Sequence, residues 1–266
     1  MRFEFSSFTV LLAFVLQINN TSSKYLTEKP SYLKTCDFNA ADLNSCFADS
    51  LKVLFNEWKD GVPGLKGLSP LEPLTIKRIK IHQNNGATFN LFAELENLIL
   101  HGGSEVVIKN AVVDKKKLNL DVTVEIKKLH ADGNYKAKGT VLGFNIDGQG
   151  PGTIDATNVL LQFHISAKIR DTDDFTFVDI IGFKSKIVKI GDFHVDVKNL
   201  FGGQTDLETT TNDVFNQNWR ELTGLLRPAL EQAIELVFKN HFTKIFAYVP
   251  ANYFFANFPK ASEFYV

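Results

Sequence analysis

Two short segments of this 266-residue chain carry residue types that could do chemistry. His101-Gly102-Gly103-Ser104 looks like an esterase oxyanion segment, in which backbone N–H groups and a serine would handle an acyl ester. That chemistry also needs a nucleophile on a Gly-X-Ser-X-Gly elbow, and the chain has none. The segment therefore reads as a turn between strands. Gly148-Gln149-Gly150-Pro151-Gly152 could cradle a phosphate, but it lacks the dinucleotide spacing and no helical pattern follows it. It reads as a strand-to-strand bend.

The six histidines do not cluster along the chain. His82, His164 and His194 fall on the polar phase of their strands, beside Lys80, Ser166 and Asp192/Asp196, which predicts exposure and not ligation. His241 borders an apolar helical stripe and reads as a helix-surface histidine, with a polar contact to a ligand as the alternative. No metal site, cofactor or catalytic group is expected. Tyr135 and Trp219 each combine an aromatic body with a polar handle, so either could orient an otherwise apolar ligand. The plainer reading of both is core packing with an internal hydrogen bond.

A composition of 44% hydrophobic and 22% charged residues is that of a globular chain with a packed core. Lys and Arg number 29 against 30 Asp and Glu, a net charge of −1, which provides no broad field for nucleic acid or an anionic membrane. Lys115-Lys116-Lys117 and Lys127-Lys128 read as solvated strand ends. Arg2, the apolar run Phe8 to Leu16 and the small residues Thr21-Ser22-Ser23 read as a secretory signal, residues 1–23. The run is well short of the roughly 20 residues that span a bilayer. What remains, residues 24–266, is expected to be one secreted domain without membrane insertion. In an oxidising compartment Cys36 and Cys46 are expected to pair, and closing so short a loop stabilises by roughly 2.5–3 kcal/mol in the chain-entropy model.

These residues need elements to position them. Leu43, Phe47, Leu51, Leu54, Phe55 and Trp58 recur at three- and four-residue steps, which marks a helix between Ala40 and Trp58, ended by Gly61 and Pro63. From Leu74 to Val197 the period is two: Leu118, Leu120, Val122, Val124 and Ile126 alternate with polar residues, as do Phe163, Ile165, Ala167 and Ile169. Such one-sided strands suit an antiparallel sheet. Leu222, Leu226, Leu230, Ile234, Phe238, Phe242 and Phe246 then step by fours along a predicted helix over 205–246. At 1.5 Å per residue it would be roughly 60 Å long, against a diameter of about 46 Å for a compact chain of this size. The molecule is expected to be elongated unless Pro228 breaks the helix. Both dry faces are covered if the sheet curls round the helix, an α+β architecture. An unfilled seam between them would be an apolar pocket.

The sequence resembles the takeout and juvenile-hormone-binding protein family of secreted insect carriers. The resemblance rests on Cys36 and Cys46, Gly61-Val62-Pro63, Leu71-Glu72-Pro73-Leu74, Tyr135 with Gly139, Gly148-X-Gly150, Asn199-Leu200-Phe201-Gly202, and Phe215-Asn216-Gln217-Asn218-Trp219 with Pro228 downstream. It implies a long helix wrapped by a curved antiparallel sheet around a tunnel for hydrophobic ligands. The extra cysteines of the juvenile-hormone binders proper are absent, which resembles the takeout branch. Phe144-Asn145 replaces the usual Leu-Pro, and residues 256–266 extend past the usual end. Phe254-Phe255, Phe258 and Phe264-Tyr265 could plug the tunnel, pack on the core or meet a membrane.

The expected function is that of a monomeric carrier for a terpenoid, fatty acid, quinone or other lipid. The expected lining is Leu120, Val122, Val124, Tyr135, Phe163, Ile165, Trp219, Leu226, Leu230, Ile234 and Phe238. The alternative is a signalling protein with a vestigial cavity that acts through a receptor.

Overall fold

The computed structural model describes residues 24–84, 86, 89–141 and 143–265; the expected signal, residues 1–23, lies outside the described residues. A two-residue strand, β1 (Cys36–Asp37), leads into α1 (Leu43–Glu57), which buries Leu43, Phe47, Leu51 and Leu54 as its spacing predicts. The Cys36–Cys46 disulfide, with Cα atoms 5.8 Å apart, ties the two together.

Seven strands follow: β2 (Leu74–Asn84), β3 (Phe89–His101), β4 (Val106–Asp114), β5 (Asn119–Val141), β6 (Phe144–Asp171), β7 (Thr176–Lys189) and β8 (Asp192–Val197). They form one sheet in the order β2-β3-β5-β6-β7, with β4 added to β5 and β8 added to β6. Every pairing in it is antiparallel. The spine is the hairpin of β5, 23 residues, and β6, 28 residues. No shorter strand runs its full length, so β3 and β4 share β5 end to end, and β7 and β8 share β6. Register shifts between Glu96 and Ile99, Ile108 and Asn110, and Ser166 and Ala167 mark bulges, which bend and twist a sheet.

Two helices then run back along the sheet, α2 (Thr205–Gln217) and α3 (Trp219–Tyr248). The single helix expected over 205–246 is therefore two, and the break is at Asn218 and not at Pro228. Asn218 donates its side-chain amide to the Val214 carbonyl at 2.8 Å, while its own carbonyl accepts the N–H groups of Glu221 and Leu222. It thus ends one helix and starts the next, as a short polar side chain that competes for backbone groups can. Pro228 lies inside α3. The 30 residues of α3 span about 45 Å and lie between the two edges of the sheet, against β7 on one side and β2 on the other.

Phe254, Phe255 and Phe258 resolve one open choice in favour of core packing, with Phe264 partly buried beside them and Tyr265 exposed. After α4 (Ala251–Phe254), the short strand β9 (Phe255–Ala256) pairs in parallel with β1. Phe255 lies 4.8 Å from Phe47 between ring centres, and Phe258 lies 5.1 Å from Phe38. Beyond α5 (Ala261–Phe264), the Tyr265 hydroxyl accepts the Ile169 N–H at 2.9 Å.

Gly148 and Gly150 are not a bend, because β6 runs through them without interruption. A Cβ on Gly148 would lie 2.4 Å from the Leu200 carbonyl oxygen, and one on Gly150 would lie 2.4 Å from that of Lys198. The glycines let the 198–200 segment cross the strand at backbone distance.

Three of the sheet's outer strands have backbone groups capped by helix side chains. On β7, the N–H groups of Ile187 and Ser185 donate to the Glu231 and Glu235 carboxylates of α3 at 2.8 and 2.9 Å, and the Arg227 guanidinium donates to the Ile187 carbonyl. On β8, the side-chain amides of Asn212 and Asn216 from α2 bridge the backbones of Val197 and Val195. On β4, the Val113 N–H donates to Asn44 of α1 at 2.9 Å.

On the other side of α3, His241 is buried, and its Nε2 lies 3.1 Å from the Ser69 carbonyl, so it is satisfied internally and not a surface residue. Burial holds its pKa below the ordinary value of 6.5, against the opposing pull of that hydrogen bond.

Two outcomes follow from these contacts. Glu231→Ala and Glu235→Ala should each cost about 1–2 kcal/mol of stability to urea, the scale of a charge-assisted hydrogen bond to a partly buried group. The glutamine variants, which keep an acceptor oxygen, should lose less, and unchanged urea midpoints in the alanine variants would remove the capping role. For His241, the unfolded chain binds a proton more readily than the folded one, so stability should fall as pH drops below about 6.5. That fall should be smaller in His241→Gln, measured by denaturation at pH 7.5 and 5.5.

Candidate ligand-binding interior

The inner face of α3 carries Leu226, Leu230, Ile234, Phe238 and Phe242 at four-residue steps, one above another along the helix. Two apolar clusters meet this helix. The larger takes in the dry faces of β4 to β8, α1 and the C-terminal aromatics, with Leu230, Ile234, Phe238, Phe242 and Ile245 packed against it. The smaller joins Ile79, Ile81 and Ala93 of β2 and β3 to Ala229, with Ala233 and Val237 beside it. Leu226 is half-buried and joins neither. The stripe stays half-buried along its length although it faces the sheet.

The structure brings most of the sequence-predicted lining together. Val122, Val124, Phe163 and Ile165 are buried in the larger cluster, with Leu120 partly buried beside them. Phe163 is 5.2 Å from Phe238 and 5.3 Å from Phe183, and Phe183 stacks on Phe242 at 5.7 Å. Phe183 was not singled out by the sequence. It belongs to the dry phase of β7 with Ser185 and Ile187, where a serine among the buried positions blurs the alternation.

Of the other sequence-predicted residues, Tyr135 and Leu226 lie outside both clusters, and Trp219 belongs to the larger one but at the far end of α3. The Tyr135 hydroxyl is already committed, donating to the Lys198 carbonyl at 2.7 Å, and burial pushes its pKa up to about 12. It anchors the segment that crosses Gly148 and Gly150. Trp219 is buried beside Phe193, with the Arg220 guanidinium 4.4 Å from its ring centre. This places it at the start of α3, away from Phe163 and Phe238.

Two hollows bear on binding. One, of about 50 Å³, is lined mainly by apolar side chains, among them Leu120, Ile165, Phe246, Phe255 and Phe258. The other, about 620 Å³, is open and lined by Lys24, Tyr25, Arg170, Thr172, Asp173 and Asp174 around Phe177 and Ala247. Size alone does not make the second a lipid site, since burying apolar surface against those charges gains little. The segment His101-Gly102-Gly103-Ser104 is a turn between β3 and β4, as expected. Its Gly102 and Ser104 N–H groups donate to the Glu72 carboxylate at 2.8 and 3.3 Å, so they are not available to an oxyanion. His82, His164 and His194 are exposed as expected, while His101 and His130, 29 positions apart in the chain, are placed opposite each other by β3 and β5.

Known proteins resemble this chain in sequence and in fold. The chain is similar to the circadian clock-controlled protein daywake of Drosophila yakuba, 25% identical over 237 residues, covering 85% of this chain and 88% of that protein. It is 26% identical to daywake of Drosophila melanogaster over 233 residues, with the same coverage. The crystal structure of Takeout 1 from Epiphyas postvittana has the same fold, with a TM-score of 0.68 at 22% identity, over 84% of this chain and 99% of that one. The model of the haemolymph juvenile hormone binding proteins matches residues 10–256, and the chain belongs to this family of hydrophobic-ligand-binding proteins.

Proposed function

We propose that this protein is a secreted, monomeric carrier that holds one hydrophobic small molecule between α3 and the sheet and performs no chemical step on it. Residues 1–23 are the signal that is removed, and 24–266 form the single binding domain. The ligand is a terpenoid, fatty acid, quinone or related lipid. The observation that carries this reading is the half-buried stripe of α3, an apolar helix face turned to a sheet that does not fully cover it.

The contacts proposed are Leu226, Leu230, Ile234 and Phe238 from the helix and Leu120, Val122, Val124, Phe163 and Ile165 from the sheet. Tyr135 and Trp219 act on the ligand only through the shape of the scaffold. The small apolar hollow beside Leu120 would take the end of a chain or a methyl branch. Burying about 400 Å² of apolar ligand surface contributes roughly 10 kcal/mol. Association costs remove a good part of it, leaving micromolar affinity or somewhat better. Membership of a family named for juvenile hormone supports the ligand class. The chain has only two cysteines, which favours a takeout-like ligand over juvenile hormone itself.

Native mass spectrometry of the secreted protein, followed by organic extraction, should find one apolar molecule per chain. Leu226→Trp and Ile234→Trp should each reduce uptake of that molecule at least tenfold while the far-ultraviolet circular dichroism stays unchanged. An empty protein that also ignores fatty acids, terpenoids and quinones would overturn the carrier reading in favour of a receptor ligand with a vestigial cavity.

A further inference from the structure

Three of the six histidines fall on one line across the sheet. His101 of β3 stands opposite His130 of β5, His130 opposite Asp155 of β6, and Asp155 opposite His194 of β8. Directly opposed residues of an antiparallel pair share a face, with Cβ atoms about 4.5–5.5 Å apart. The rings of His101 and His130 are 6.5 Å apart between centres and 30° from parallel.

Each ring is held by a carboxylate. His101 Nδ1 is 2.8 Å from Glu72 Oε1, and His130 Nδ1 is 2.7 Å from Asp155 Oδ1. An ionised carboxylate only accepts, so each neutral ring carries its proton on Nδ1 and presents the Nε2 lone pair. Neither Nε2 has a protein partner among the described residues. The two side chains are 50% and 45% exposed. A carboxylate behind Nδ1 is how proteins orient an imidazole that ligates a metal through its other nitrogen.

From this juxtaposition we infer that His101 and His130 form a surface site for a late first-row divalent metal ion, bound through both Nε2 atoms with water in the remaining positions. Among the described residues no group of three or more His, Cys, Asp or Glu side chains converges on a metal position. The affinity of this site therefore rests on two imidazoles and the carboxylates behind them. At metal–nitrogen distances of about 2.0–2.1 Å, two imidazoles on one ion lie about 4.5 Å apart between ring centres at a square-planar angle and about 5.2 Å at a tetrahedral one. The rings must close by roughly 1–2 Å, by side-chain rotation at half-exposed positions. His194 lies beyond Asp155 and is too far along the row to share the ion. Copper(II) should bind more tightly than nickel(II) or zinc(II), as the general order for nitrogen donors requires.

His164 supplies an internal control. Its Nδ1 is 2.8 Å from Asp121, the same orienting contact. Its strand neighbours are Asp121 and Lys184, so no second imidazole stands opposite.

Untagged protein titrated with Cu²⁺, and separately with Zn²⁺, by isothermal calorimetry tests the site. One ion per chain is expected, with binding lost in His101→Gln and in His130→Gln and unchanged in His164→Gln. Asp155→Asn should weaken binding about 10- to 100-fold, the usual effect of removing an orienting carboxylate. Thermal midpoints of the metal-free variants should match that of the parent, which separates ligand loss from misfolding. Absence of stoichiometric binding, binding that survives either His101→Gln or His130→Gln, or an equal loss in His164→Gln would overturn the assignment.

Discussion

The fold depends on what happens to the unpaired backbone at the edges of its sheet. An edge strand leaves a row of N–H and C=O groups that must be paired, hydrated or covered. Here helix side chains one turn apart meet strand residues two apart. Four residues of helix advance about 6 Å, and two residues of strand advance about 6.6 Å, so the two spacings nearly match. Glu231 and Glu235 against Ile187 and Ser185, and Asn212 and Asn216 against Val197 and Val195, are two uses of the same match. In both the helix runs antiparallel to the strand, since the higher helix number meets the lower strand number. Asn44 makes a single contact of this kind on β4.

This capping bears on the interior. A helix held only by apolar packing must fill the space beneath it, because voids forfeit the contacts that hold it. α3 is positioned instead by hydrogen bonds to β7 along one side and by the Gln232–Gln83 and His241–Ser69 contacts along the other. Its height above the sheet is set by polar groups at the rim, so the stripe between them need not be fully covered. The hydrogen-bonded rim and the half-buried stripe are therefore two sides of one arrangement.

Much of this was legible in the sequence, and the rest was hidden for definable reasons. The period-two strands, α1 and the α3 stripe follow from spacing, because burial imposes those periods directly, and the Cys36–Cys46 pair follows from two cysteines in an expected oxidising compartment. The Asn218 break was hidden because the apolar stepping from Leu222 onward says nothing about the turn before it, and Pro228 was the more conspicuous helix breaker. The Gly148-X-Gly150 segment was misread because glycine marks a bend and a close backbone approach alike, and only the position of Lys198 to Leu200 tells them apart. Glu231 and Glu235 look like an exposed polar face in one dimension. The pairing of His101 with His130 depends on strand register, which the spacing of histidines along the chain does not encode.

The site was legible as a face and not as a list of functional groups. Tyr135, Gly148, Gly150 and Asn199, four of the residues that carry the family resemblance, form a single crossing. The Tyr135 hydroxyl takes the Lys198 carbonyl, Asn199 donates to the Gln149 carbonyl at 2.9 Å, and the glycines admit the crossing chain. That crossing fixes β8, and through Asn212 and Asn216 it fixes α2 and the start of α3. The recognisable residues thus build the frame. The inner face of α3 asks only for apolar side chains of suitable volume, a requirement that many sequences meet. A chain about a quarter identical to its relatives can therefore keep the fold while the side chains on the inner face of α3 differ.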